Sequence, residues 1–136
     1  MKPIHFDPQT DLAPMAFDDA TCQLAHHIKR LGVNWQPHVG CFVWDPDKII
    51  AADSPFPRRI YFILSLARFI DIFGSREAIV EKLVCLPTWH QARLLCRQLK
   101  VPDEAVAHIW QSQTSFSAGA ELHKVYELII DALRKG

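Results

Sequence analysis

Glycine is scarce in this chain, with five in 136 residues. That leaves no Gly-rich loop to cradle a nucleotide phosphate and no Gly-x-Ser-x-Gly elbow for a nucleophilic serine. Long apolar runs are missing as well. The most apolar stretch, Ile60 to Phe73, covers 14 residues and includes Arg68 and Asp71, so it is too short and too charged to span a bilayer. Met1-Lys2-Pro3-Ile4-His5-Phe6 has no apolar h-region, and no signal peptide is expected. Net charge is absent too: 15 Lys and Arg stand against 15 Asp and Glu. A protein that wraps nucleic acid in a global positive field is therefore not indicated. The four cysteines, Cys22, Cys41, Cys85 and Cys96, are widely spaced and form no Cys-x-x-Cys pair. Most sit in apolar surroundings, which suits reduced, buried thiols in a cytoplasmic protein.

What is present is an ordinary globular composition, 49 % hydrophobic and 22 % charged, which excludes a disordered chain. The length suits one domain over residues 1–136, and no linker divides it. Residues 1–16, with three prolines, read as an extended arm. Asp18 or Asp19 opens a helix that runs to about Leu31, with Phe17, Ala20, Leu24, Ile28 and Leu31 as its apolar stripe and Gly32 as its stop. Val39–Trp44 reads as a strand, Asp45-Pro46-Asp47-Lys48 as a type I turn and Ile49–Ala52 as the return strand, giving a small β-hairpin over about 39–52.

From about 58 to 73 the sequence is apolar on nearly all sides, which predicts a central buried helix. Ser75 caps a further helix to about Leu86, Thr88 one over Trp89–Lys100, and Asp103 one to about Gln113. After a polar joint at 113–117, Ala118–Lys135 is the last helix, with Leu122, Val125, Ile129 and Leu133 on its stripe. The fold class is thus mainly α, with five to six helices around the 58–73 helix and one hairpin at an edge. A lone hairpin is marginally stable, so this one must pack on helices or pair with a second copy, and a homodimer is expected.

The charge is uneven. Residues 58–100 hold eight basic and three acidic groups, whereas the flanking segments are both acidic on balance. Within the basic segment, His90, Arg93, Arg97 and Lys100 recur at helical spacing on one face, opposite Ala92, Leu95, Cys96 and Leu99. Two arginines one turn apart can grip a carboxylate or phosphate, and a nearby histidine can move a proton near neutral pH. The same face is also what an amphipathic helix turns to water. Trp89 opens the helix, and Arg58 and Arg59 add to the basic segment. Like charges one turn apart call for an acidic counterpart to Arg93 and Arg97, internal to the protein at, for instance, Asp45, Asp47 or Asp53, or supplied by a partner.

Other chemistry is thinner. Cys22 and His26 make half a metal site with Asp19 a turn earlier, but no second half follows. Asp45-x-Asp47 opens like a calcium loop yet has neither the glycine nor the glutamate that such a loop needs. His90 and Cys96 are six apart on opposite sides of their helix and cannot pair. No catalytic residue, metal or cofactor is assigned.

Leu99-Lys100-Val101 with Val106 and Ile109-Trp110 resembles the spacing of DNA-binding helix–turn–helix motifs over residues 92–110. Lys100 stands at the usual turn glycine, and Asp103 and Glu104 open the second helix, where a DNA reader needs donors. Three readings follow. The first is a non-catalytic binding module whose face of Trp89, His90, Arg93, Arg97 and Lys100, with Arg58 and Arg59, takes an acidic protein partner or a small anionic ligand. The second is a small enzyme in which the arginines clamp an anionic substrate, His90 is the acid or base, and Asp45 or Asp47 polarises it or holds a metal. The third is a regulator that binds DNA through residues 92–110. In the first, neither nucleic acid nor membrane is a partner.

Overall fold

The computed structural model describes residues 17–111 and 118–135. Among them are six helices and a three-stranded antiparallel sheet, so the protein is mainly α with a small sheet. The expected arm at 1–16 and the polar joint at 113–117 lie outside the described residues. The described residues form two compact units, residues 34–86 and residues 17–33 with 87–111 and 118–135.

The first unit contains β1 (Phe42–Trp44), β2 (Ile60–Phe62), α2 (Leu66–Phe73), α3 (Arg76–Lys82) and β3 (Val84–Leu86). The sheet order is β2-β1-β3, with Val43 opposite both Tyr61 and Cys85. Cys41, Val43, Tyr61 and Ile63 face a core completed by Ile50, Ile79 and Leu83, and Leu66, Phe69, Ile70 and Phe73 of α2 pack against it half-buried.

Here the structure departs from the expected elements in three places. The helix expected over 58–73 is a strand followed by a short helix. Arg58 and Arg59 both have left-handed φ values, 62° and 64°, and the Ile60 amide donates to the Pro57 carbonyl at 3.3 Å. That is the arrangement of a primed turn, which feeds β-branched and aromatic residues into β2. The Ser65 hydroxyl then caps α2, and Gly74, at φ 96°, ends it. The α2 helix has no fully buried residue and exposes Ile72, so it lies at the side of this core.

The second correction concerns the hairpin over 39–52. The turn after β1 forms, with the Lys48 amide donating to the Asp45 carbonyl, but Ile49–Ala52 is not a strand. The amides of Ile49 and Ile50 donate instead to the buried carboxylate of Asp45, at 3.0 and 2.9 Å. The strands that pair with β1 are β2 and β3. Residues 84–86, expected to finish a helix, are extended because Leu83 leaves the helical region and Pro87 disfavours a helical Leu86.

The second unit contains α1 (Asp19–Arg30), α4 (Trp89–Gln98), α5 (Asp103–Gln111) and α6 (Ala118–Lys135). α1, α4 and α5 each pack on α6, whose Leu122, Val125, Tyr126, Ile129 and Ile130 are buried. Asp18 is the N-cap of α1, as expected. The buried stripe of α1 is turned from the expected one: Phe17, Thr21, Cys22, Ala25 and Ile28 face inward, while Ala20 is exposed. Thr21 can be buried because its hydroxyl is bonded on both sides, as described below.

Candidate functional site

α4 forms because both of its ends are locally specified. The Thr88 hydroxyl accepts from the Gln91 amide, and the Gln91 side chain accepts from the Thr88 amide at 2.9 Å, which closes a capping box. At the other end Leu99 is the C-cap. The Lys100 amide donates to the Arg97 carbonyl at 3.1 Å and the Val101 amide to the Cys96 carbonyl at 2.9 Å. This is a Schellman closure with lysine where glycine is usual, at φ 62°. Lys100→Gly is expected to raise the unfolding free energy by about 1 kcal/mol by removing left-handed strain, read as a higher midpoint in urea.

Between these ends the helix buries Ala92 and Cys96 on α6's side and turns His90, Arg97 and Lys100 outward, with Arg93 half-buried. At about 100° per residue, Trp89, His90, Arg93 and Arg97 fall within roughly a third of the helix circumference. The helix expected to run to Lys100 ends at Gln98, so four of the expected site residues share its face and Lys100 stands exposed in the turn that follows. Arg58 and Arg59 belong to the other unit.

The counter-charge is not among the carboxylates named from sequence. Arg93 Nη2 lies 3.3 Å from Asp103 Oδ1, and Arg97 Nε is 3.9 Å from the same oxygen. Asp103 opens α5 just beyond the Lys100 turn, so the hairpin folds its carboxylate back over two guanidinium groups. The pairing is open to water, Asp103 being 65 % exposed, and contributes at most about 1 kcal/mol. Arg93 Nη1 is buried and has no hydrogen-bond partner.

At the opposite end of the same hairpin the Trp89 and Trp110 rings meet at 5.5 Å and 60°. They remain 36 % and 41 % exposed. The face thus joins an aromatic pair, contributed by both helices, to an arginine pair that already holds a carboxylate.

Arg59 and Asp45 are otherwise employed. Asp45 is wholly buried, and its Oδ2 takes the Arg59 Nη2 at 2.7 Å as well as the Ile50 amide. Arg59 also donates to the Ile50 carbonyl and lies over the Tyr61 ring. The Asp45 carboxylate is thus filled by the protein's own donors and pins the loop after β1. Arg58 is exposed at the turn.

One polar cluster escaped sequence reasoning. His123 Nε2 lies 2.9 Å from Asp18 Oδ1 and 2.8 Å from Thr21 Oγ, tying α6 to the start of α1. The Thr21 amide and hydroxyl both donate to Asp18 Oδ1 at 2.8 Å. One imidazole nitrogen serves both oxygens, so the group does not form a nucleophile–base–acid relay, which needs both ring nitrogens. Burial works to raise the Asp18 pKa, but the bonds from Thr21 and His123 prevail and hold it below its usual 3.8. A carboxylate depressed on folding stabilises above its unfolded value and loses that contribution as pH falls through its folded one. Stability is therefore expected to decline below about pH 4 in the native chain and to decline less in Asp18→Ala, which also loses about 1 kcal/mol of capping at neutral pH. Thermal melts between pH 6 and 2 read both effects.

Cys41, Cys85 and Cys96 are free thiols. Burial pushes Cys85 up to about 12, with Cys41 beside it adding to the shift, and raises Cys41 and Cys96 as well. These three therefore hold little thiolate at neutral pH, which does not suit a nucleophile. Among the described residues no three His, Cys, Asp or Glu gather into a metal-holding group, and no helix is long and apolar enough to cross a membrane.

No family model, curated protein or solved structure matches this chain. The functional reading accordingly stands on the α4–α5 hairpin alone.

Proposed function

We propose that this protein is a non-catalytic binding module and that the outer face of α4, with α5 beside it, recognises an acidic protein partner or a small anionic ligand. The observation that carries the reading is the seat of Asp103. The two arginines already hold one carboxylate between them, in open water, beside an exposed tryptophan pair. The basic surplus of residues 58–100 supports the sign of the ligand, and Lys100 adds a further exposed cation just beyond the helix end. Acidic Asp103 and Glu104 at the start of α5 weigh against duplex DNA, whose phosphates they would repel.

The test is double charge reversal, Arg93→Glu with Arg97→Glu. Arg97 is 65 % exposed and Arg93 is 25 % exposed, and the residues α4 buries are Ala92 and Cys96, so the variant is expected to keep the native helical circular dichroism while losing at least about tenfold in affinity for an acidic peptide and in capture of the native partner. Unchanged binding would overturn the assignment.

The same reading takes the protein to be cytoplasmic, in keeping with the free thiols Cys41, Cys85 and Cys96, and dimeric. Exposed Val39, Phe62 and Leu64 around β2 are what a second copy would cover. Sedimentation at the monomer mass would remove the dimer without affecting the α4 face.

A further inference from the structure

We infer that the ligand of the α4–α5 face is a protein segment carrying a carboxylate next to an apolar side chain, and that Asp103 is a built-in competitor which that carboxylate displaces. The inference rests on the binding role proposed above and names the occupant. Trp89, Arg93 and Arg97 follow one another at a spacing of four residues, which sets successive side chains about 6 Å apart along α4. Trp110, on α5, widens the aromatic end of this column and stacks edge-on against Trp89.

An extended chain advances about 3.3 Å per residue, so an apolar side chain on the tryptophans and a carboxylate on Arg93 or Arg97 fall two to four residues apart in one peptide. A small anion would meet the arginines and leave the indoles in water. A peptide covers both, and aromatic and arginine side chains in adjacency are the usual anchors of such contacts.

The place of Asp103 follows from the arginine it occupies. Arg93 gives only Nη2 to Asp103, while its buried Nη1 has no acceptor. A free carboxylate has instead the 65 % exposed Arg97 guanidinium open to it, which Asp103 approaches only at 3.9 Å, and would pair with it end-on, the geometry in which arginine and carboxylate pair best. Asp103 is tethered to the first turn of α5 and makes one bond. It therefore holds the arginines in place for exchange, and it lowers the apparent affinity for any anion that must displace it.

The experiment is a fluorescence anisotropy titration of the full chain with a labelled peptide of repeating Glu-Gly-Leu units. A Glu-Gly-Ser peptide, inorganic phosphate and a duplex DNA are the comparison probes. The Glu-Gly-Leu peptide is expected to bind about tenfold tighter than the Glu-Gly-Ser peptide, and Trp110→Ala to erase that difference. Asp103→Asn is expected to tighten Glu-Gly-Leu binding about three- to tenfold. Asp103→Ser, which keeps a helix-starting residue without the charge, should do the same and guards against a folding artefact.

If the Asp103 variants leave affinity unchanged while charge reversal of Arg93 and Arg97 still abolishes it, the competitor is refuted and the binding face stands. Equal binding of the Glu-Gly-Ser peptide, or competition by phosphate at similar concentration, overturns the peptide in favour of a small anion. Tighter binding of the duplex overturns it in favour of nucleic acid. If charge reversal leaves Glu-Gly-Leu binding intact, the binding face itself is refuted.

Discussion

Asp45→Ala is expected to lower the unfolding free energy by about 3 kcal/mol, seen as a large fall in the urea midpoint at unchanged slope. The carboxylate is fully buried and takes three donors: the Ile49 and Ile50 amides and the Arg59 guanidinium. Its removal leaves two amides to be satisfied in a loop with no strand to receive them, and strips the counter-charge from a cation that is 30 % exposed. That residual exposure sets the figure at the lower end of what breaking a buried pair costs. Asn is not a substitute, since its amide group would point a donor either at the Ile49 amide or at Arg59 and the Ile50 amide together.

The loss should also be specific to the pair. Arg59 sits at φ 64°, a strained conformation for arginine, and its bonds to Asp45 and the Ile50 carbonyl hold it there. Once Asp45 is gone, replacing Arg59 with glycine should recover part of the stability, because glycine adopts that turn freely and no cation is left without its counter-charge. If Asp45→Ala and its combination with Arg59→Gly melted alike, the ion pair would not be what holds the loop.

How far the chain could be read from its letters depended on the range of the interactions involved. The caps Asp18, Ser75 and Thr88 were legible because each satisfies an amide three residues away. The face of α4 was legible for the same reason, since spacing alone sets the angle between His90, Arg93 and Arg97, whereas Lys100 lies past the helix end at φ 62° and helical spacing does not place it. The strands β2 and β3 were not. Each is three residues long and exists through pairing with β1, and an apolar run such as 60–73 suits a buried strand as well as a helix. Two local signals were present: Ser65 can cap a helix that starts at Leu66, and Pro57-Arg58-Arg59 precedes β-favouring residues.

The counter-charge of α4 was missed because it was sought far away, at Asp45, Asp47 or Asp53. The Schellman turn at Lys100 reverses the chain, so the acidic first turn of α5, ten residues after Arg93, comes back over the arginines. The same acidic pair that made a poor DNA-reading helix thus supplies the internal carboxylate. The His123 bond to Asp18 spans 105 residues, and neither residue carries a local sign of it.

Tyr126 tests whether α4 depends on α6 for its place. This fully buried residue donates its phenolic hydroxyl to the carbonyl of Pro87, immediately before the Thr88 cap. The helix that carries the arginines is thereby anchored at its start to the centre of its unit. Tyr126→Ala removes an aromatic ring from between packed helices and is expected to cost about 4 kcal/mol in thermal or denaturant unfolding. Tyr126→Phe keeps the ring and loses the hydroxyl, leaving a buried carbonyl short of a donor, and is expected to cost about 1 to 2 kcal/mol. Because Tyr126→Phe should remain folded, it separates stability from position. If the anchor sets where α4 begins, the variant should weaken acidic-peptide binding although none of its atoms touches the basic face. Native affinity in a destabilised Tyr126→Phe protein would mean that the capping box at Thr88 and Gln91 suffices to position the arginines.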